Sequence, residues 1–232
     1  MKRYLIGLLS MLSVHAAMGQ QAIDVHCHNI LPTFKELLDR HGAALEETFP
    51  LPDWDVASHL KFMEEAGIET SVLSMPAPQP WFGDAEESRR AVRQYNETCA
   101  RLKADYPGKF LFCASLPLPD VDAAIKEAVY VLDTLGADGI KLHLLHVLSG
   151  TDLAEDYAAG NFETMTLDAY LSVLEDCLRV LPRELVIHRM TGDGAKRSLI
   201  APMWSADKKR VLNALNRRFL SDDLEQGSAL LL

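Results

Sequence analysis

Two hydrophobic rhythms alternate along this chain of 232 residues. Short apolar runs, of the kind that fill one or both faces of a strand, occur at Ala22 to His28, Thr70 to Met75, Phe110 to Leu116, Gly139 to Leu144 and Leu185 to Arg189. Between them lie longer segments with helical spacing. Trp54 to Ala66 carries Val56, Leu60, Phe62 and Met63 toward one side, and Ala85 to Tyr106, Val121 to Leu135 and Leu167 to Val180 read as further helices. Asp84, Asp120 and Thr166 stand where N-caps belong, and Pro182 stops the helix before the fifth strand. A stretch rich in Gly, Thr and Asp from Ser149 to Asn161 reads as a loop. Repeated strand–helix units predict an α/β fold with a mostly parallel sheet. About five strands fall short of the eight in a closed barrel of about 250 residues, so the expected form is a partial or open TIM-like (β/α) barrel.

The first residues change the picture of the N-terminus. Lys2 and Arg3 precede an apolar run from Tyr4 to Val14 and a small-x-small pattern at Ala17-Met18-Gly19, as in a secretory leader cleaved before Gln20. The run is about eleven residues, against the roughly 20 that a membrane-spanning helix needs. The expectation is therefore an exported protein, periplasmic or secreted, without a stable membrane span. A formal charge of −10 argues against a nucleic-acid surface. Lys208, Lys209, Arg210, Arg217 and Arg218 are interleaved with Val211, Leu212, Leu215 and Phe219 at helical spacing, which reads as a solvated helix face. Cys27, Cys99, Cys113 and Cys177 are scattered without a paired spacing, so no cysteine-based metal or iron–sulfur site is encoded.

The candidate chemistry sits at the end of the first strand. Residues i and i+2 of a strand share a face, so His26 and His28 can present both imidazoles to one ion while Cys27 faces away. By geometry alone the pair is equally compatible with two ordinary polar residues at a strand end. The wider sequence, however, resembles the amidohydrolase-related family that includes aminocarboxymuconate-semialdehyde and benzoate-type decarboxylases. The likeness is carried by Ile23-Asp24-Val25-His26-Cys27-His28, Phe62-Met63-Glu64-Glu65-Ala66-Gly67-Ile68, Ser71-Val72-Leu73-Ser74 and Phe110 to Pro119. Asp122-Ala123-Ala124 and Gly136-Ala137-Asp138-Gly139-Ile140-Lys141-Leu142 complete it. The resemblance implies one divalent ion, usually zinc, held by the H-x-H pair, by a histidine after the fifth strand and by an aspartate after the eighth. It further implies hydrolysis or non-oxidative decarboxylation of a small carboxylic acid. His188, at the end of the fifth strand, is the candidate third ligand, and no catalytic residue is assigned.

From about Gly139 to Phe219 the chain resembles instead the C-terminal part of a radical SAM group of the YtqA and YhcC type. That likeness rests on Ile140 to Leu148 with Gly150-Thr151-Asp152-Leu153-Ala154, on Val186 to Gly194, and on Leu199 to Trp204. It implies that His143, His146 and His188 line the inner rim of a barrel, but the three-cysteine motif of such proteins has no counterpart here. The chain thus reads as a composite, with a leader over 1–19, an amidohydrolase-like half barrel over 20–142, a radical SAM C-terminal-like segment over 143–219 and a disordered tail over 220–232. The alternatives to a metal-dependent enzyme are a radical SAM fragment and a catalytically silent α/β domain. An unclosed sheet leaves open edges, which makes a homo-oligomer a further expectation. Pro76, Pro78, Pro80, Trp81 and Phe82 form either a pocket lip or a stiffened connection. Lys141 pairs either with a substrate carboxylate or with an inward acid such as Asp24.

Overall fold

The computed structural model describes residues 22–43, 45–46, 49–192 and 194–230, so the leader read over 1–19 lies outside the described residues. The chain divides into two compact units between Ala137 and Asp138, slightly before the join expected after Leu142.

In unit 1, β1 (Ala22–His28) leads into α1 (Pro32–Arg40), whose first-turn proline suits a position that needs no amide hydrogen. A short antiparallel pair, β2 (Leu45–Glu46) with β3 (Phe49–Pro50), follows. The chain continues through α2 (Val56–Ala66), β4 (Ile68–Ser74), α3 (Ala85–Asp105), β5 (Phe110–Phe112) and α4 (Val121–Tyr130), the last running into a π turn over Val131–Leu135. Asp55, Asp84 and Asp120 each accept amide hydrogens from the first turn of the helix they cap. Gly67 ends α2 with φ 68°, a left-handed conformation that glycine adopts without steric cost. The sheet runs β1-β4-β5, all parallel.

Its core is built from stripes. Phe34, Leu37 and Leu38 of α1 and Tyr95 and Cys99 of α3 pack with Leu73, Phe110 and Phe112 of the strands and Met63 of α2. Phe62, expected on the buried side of α2, points outward at 57% exposure, because consecutive residues of a helix stand about 100° apart and Met63 takes the core position. Among the described residues β1 is an edge strand, and Ile23 and Val25 remain exposed on it. His59 of α2 sits half-buried between the rings of Trp54 and Phe110.

In unit 2, β6 (Gly139–Lys141) pairs in parallel with β8 (Val186–Arg189), and β7 (Val147–Leu148) pairs antiparallel with β9 (Leu199–Ala201). The helices are α5 (Asp152–Ala158), α6 (Leu167–Val180) and α7 (Lys208–Ser221), with a 3-10 turn over Met203–Ala206. α5 lies within the stretch read as loop: Thr151 caps it, and at seven residues it is too short to show a hydrophobic period. Tyr170, Leu171 and Leu174 of α6 meet Val211 and Leu215 of α7 and Leu144 in a second core. Arg218 is not simply part of a solvated face. It bonds Asp168 at 2.8 Å and Glu175 at 3.1 Å and fastens α7 to α6.

The five predicted strands therefore exist and pair in parallel, but among the described residues they are divided between a three-stranded and a two-stranded sheet. The described part of the tail corrects the expectation of disorder. Gly227 N–H donates to Leu178 O at 2.9 Å and Ala229 N–H to Arg179 O at 2.8 Å, occupying carbonyls that the last turn of α6 leaves unpaired.

Two cores predict two stabilities. Leu38→Ala removes a side chain with no exposed surface, and should lower the stability of unit 1 by about 2–5 kcal/mol. Hydrogen exchange in denaturant should show this in the amides of β4 and leave those of α6 unchanged; an equal shift in both would mean one cooperative domain. His59 supplies a pH test. Burial, opposed by Asp24, holds its pKa below the ordinary 6.5, so its stabilising contribution is complete above that pH and is lost as pH falls toward the depressed value. The unfolding midpoint of His59→Gln should decline less than that of the wild type over this acid range, and identical declines would remove His59 from the account.

Candidate metal centre at the end of the first strand

The strand that carries the histidine pair is irregular where they occur. Its register against β4 shifts between Asp24 and Cys27, and the Asp24 carboxylate accepts the His26 amide hydrogen at 3.0 Å. This local bond occupies the His26 amide at the irregular stretch of the ladder. His26 and His28 then lie with their Nε2 atoms 3.2 Å apart and their rings edge to face at 5.0 Å.

Ser74, the register partner of His28, decides which nitrogen of His28 is free to ligate. Its hydroxyl lies 3.0 Å from Cys27 O, to which it donates, and 3.1 Å from His28 Nδ1, while its own carbonyl lies 3.3 Å from the same Nδ1. The hydroxyl has spent its hydrogen on Cys27 and the carbonyl can only accept. The hydrogen-bond pattern therefore assigns the proton to Nδ1 and leaves the Nε2 lone pair facing His26. Holding the far nitrogen of a ligand histidine in this way is the usual means of fixing its orientation and raising its basicity. Two nitrogens each at about 2.0–2.1 Å from one ion, in cis-octahedral to tetrahedral arrangement, are separated by roughly 2.9–3.4 Å. The observed spacing falls within that range.

The turn that leaves β1 is anchored in the core. Asn29 has no exposed surface: its amide hydrogen goes to Ser74 O at 3.3 Å, its side-chain NH2 to Cys99 Sγ at 3.4 Å, and its carbonyl oxygen accepts from Tyr95 OH. Burial pushes the Cys99 thiol up to about 11, so it serves as a packed acceptor and not as a nucleophile. Sequence patterning gave no sign of this triad, because a single Asn after a strand has no period.

Cys27 and His59 do not form a nucleophile–base pair. Trp54 Nε1–H donates to His59 Nδ1 at 3.1 Å, so the His59 proton sits on Nε2, which faces Ser71 Oγ at 3.2 Å and Cys27 Sγ at 3.7 Å. A nitrogen that already holds its proton cannot take one from the thiol. In the loop after β4, Phe82 stacks on His41 with centroids 4.2 Å apart, as a stiffened connection would have it, whereas Trp81 is exposed.

His188 lies on unit 2, half-buried, with its pKa lowered by burial and then by the charge of Lys141. Among the described residues, no three or more His, Cys, Asp and Glu side chains are gathered as a metal centre. Of the three sequence-predicted ligands, the structure thus brings His26 and His28 together on β1 and places His188 on unit 2. Among the same residues, no helix is long and apolar enough to cross a membrane.

The chain is similar to two groups of known proteins. The sequence pattern of the Radical_SAM C-terminal domain matches residues 137–220, and that of the Amidohydrolase family matches residues 23–176, so the two overlap at the shared strand and beyond. The chain is 41% identical over 112 residues to the uncharacterized protein YtqA of Bacillus subtilis, covering 48% of this chain and 34% of that protein. It is 37% identical over 133 residues to the decarboxylase yanB of Aspergillus niger, covering 55% and 36%. With the 6-methylsalicylic acid decarboxylase of Penicillium expansum it shares 33% over 122 residues, covering 52% and 37%. The chain thus spans about a third of the length of each of these relatives. The crystal structure of an amidohydrolase II superposes with a TM-score of 0.55 at 24% identity, covering 87% of this chain and 63% of that one, a likeness of fold. The Amidohydrolase pattern covers well over half of the residues and includes the strand that ends in His26 and His28, and the chain belongs to the amidohydrolase family.

Proposed function

We propose that this chain is a metal-dependent, non-oxidative decarboxylase of the amidohydrolase class, acting on a small aromatic carboxylic acid. The observation that carries the reading is the His26–His28 pair, with Nε2 atoms 3.2 Å apart and the His28 tautomer set by Ser74. Neutral nitrogen donors suit zinc and similar divalent ions. Such an ion, when bound, supplies positive charge for a substrate carboxylate or a neighbouring oxygen. The chemistry needs no oxidant: the bond between ring and carboxyl carbon breaks, its electron pair stays on the ring carbon, that carbon takes a proton, and CO2 leaves. His26 and His28 hold and orient, Ser74 positions His28, and Asn29 fixes the strand end on Tyr95 and Cys99. The decarboxylases among the relatives support the reaction class, and the name of one of them, a 6-methylsalicylic acid decarboxylase, suggests a hydroxybenzoate-like acid as substrate. The leader supports export.

Purified protein should hold up to about one divalent ion per chain, and His26→Ala with His28→Ala should abolish binding. His188→Ala should spare it, because the positive charge of Lys141 beside His188 opposes a cation there. Equal metal content in the wild type and the double variant would end the metal reading; loss of metal in His188→Ala would make that residue a ligand after all. Ser74→Ala should weaken the ion by roughly 10–100-fold without unfolding unit 1, as measured by competition with a chromogenic chelator. Mass spectrometry of exported protein should find a start near Gln20, and an intact Met1 would contradict the leader.

A further inference from the structure

Unit 2 carries a second chemical grouping, at the carboxyl ends of its two parallel strands. Lys141 and Arg189 are register partners across β6 and β8, and Leu142 N–H donates to Arg189 O at 2.8 Å. Leu142 and Met190 pack into the second core. As register partners in one parallel ladder, Lys141 and Arg189 stand side by side at the strand ends, and His143 follows two residues after Lys141. Partial desolvation lowers the His143 pKa, and the charges of Arg189 and then Lys141 lower it further, although the residue as a whole is exposed. The chain beyond β8 closes on this group through glycines. A methyl built on Gly192 would stand 3.7 Å from His143 Nδ1 and 3.4 Å from His146 Cε1, and one on Gly194 would stand 2.7 Å from His146 Cδ2. A side chain at 194 would push His146 out of place, so glycine there is a packing requirement.

Arg189 is the unusual member. It is half-buried, and among the described residues its guanidinium has no hydrogen-bond or ion-pair partner. Five donors in a planar fork, partly withdrawn from water, call for an acceptor of matching shape, and carboxylate and phosphate both provide it. We propose that unit 2 binds an oxyanion, through its two-oxygen edge, on Arg189, with His143 as the flanking group. The site is independent of the decarboxylase reading and of the metal. Its ligand is a carboxylate or a phosphate group.

Calorimetric titration of the full chain with inorganic phosphate, and separately with benzoate, tests it. At least one should bind saturably below about 10 mM, and Arg189→Gln should weaken that binding by roughly tenfold or more. Which of the two binds identifies the source of the oxyanion. No saturable binding of either, or unchanged affinity in Arg189→Gln, would overturn the proposal. A second measurement needs no variant: phenylglyoxal modification of Arg189, followed by peptide mass mapping, should slow at saturating anion, and equal rates with and without it would also overturn the site.

Discussion

The pairing of β1 with β4 at Ser74 is the constraint on which the candidate centre rests. A parallel ladder requires a long crossover, here α1, the β2–β3 pair and α2, and that crossover delivers Ser74 beside His28 from 46 residues away in sequence. One serine then does three things: its hydroxyl satisfies Cys27 O, its oxygens assign the His28 proton, and its carbonyl accepts the Asn29 amide. β1 has only this neighbour among the described residues, and much of its surface is exposed. An edge strand in that position would be free to slip or fray, and a one-residue slip would turn His26 and His28 to the opposite face. The buried Asn29 prevents it. Its three bonds to Ser74, Cys99 and Tyr95 lie in the core, where leaving any of those polar groups unpaired costs about 1–3 kcal/mol, so the strand end is held in one register.

Most of the elements were legible because they have a period or a cap. β1 and α6 begin and end where the sequence predicts, and Asp84, Asp120 and Thr166 cap as their residue types require. What was not legible falls below the length at which a period exists. The β7–β9 pair is formed by strands of two and three residues, and α5 has seven. α1 escaped for another reason: Phe34, Leu37 and Leu38 have helical spacing, but they follow Pro32 closely after a strand and resemble a loop with apolar anchors. At the candidate centre, the histidine pair was visible as an alternation on a strand, whereas Ser74, Asn29 and Tyr95 meet only through tertiary contact. No local rule links a serine at the end of one strand to the tautomer of a histidine on another.

The two-family character of the sequence has a physical counterpart at the same place. The Amidohydrolase and Radical_SAM patterns overlap from residue 137, and the compact units part between Ala137 and Asp138. The segment Gly139-Ile140-Lys141 can serve either family because a short parallel strand asks little of its sequence beyond small and β-branched residues on its faces. Each compact unit has its own packing. The first core is drawn from α1, α2, α3 and the three-stranded sheet, the second from α6, α7 and the 3-10 turn, and the residues of one cluster do not recur in the other.

That separation extends to the electrostatics and bears on His188. Two unit charges at about 4 Å interact by roughly 4 kcal/mol at an effective dielectric of 20, and a divalent ion doubles the figure. His26 and His28 have a carboxylate, Asp24, two residues away in the same strand, a neighbour that favours a cation. At His188, burial first and the charge of Lys141 second disfavour a single added proton on the ring. The Lys141 part of that effect opposes a divalent ion more strongly than a proton and favours an anion. Histidines of identical intrinsic chemistry thus stand in different fields: the pair on β1 near a carboxylate, and His143 and His188 near cationic side chains.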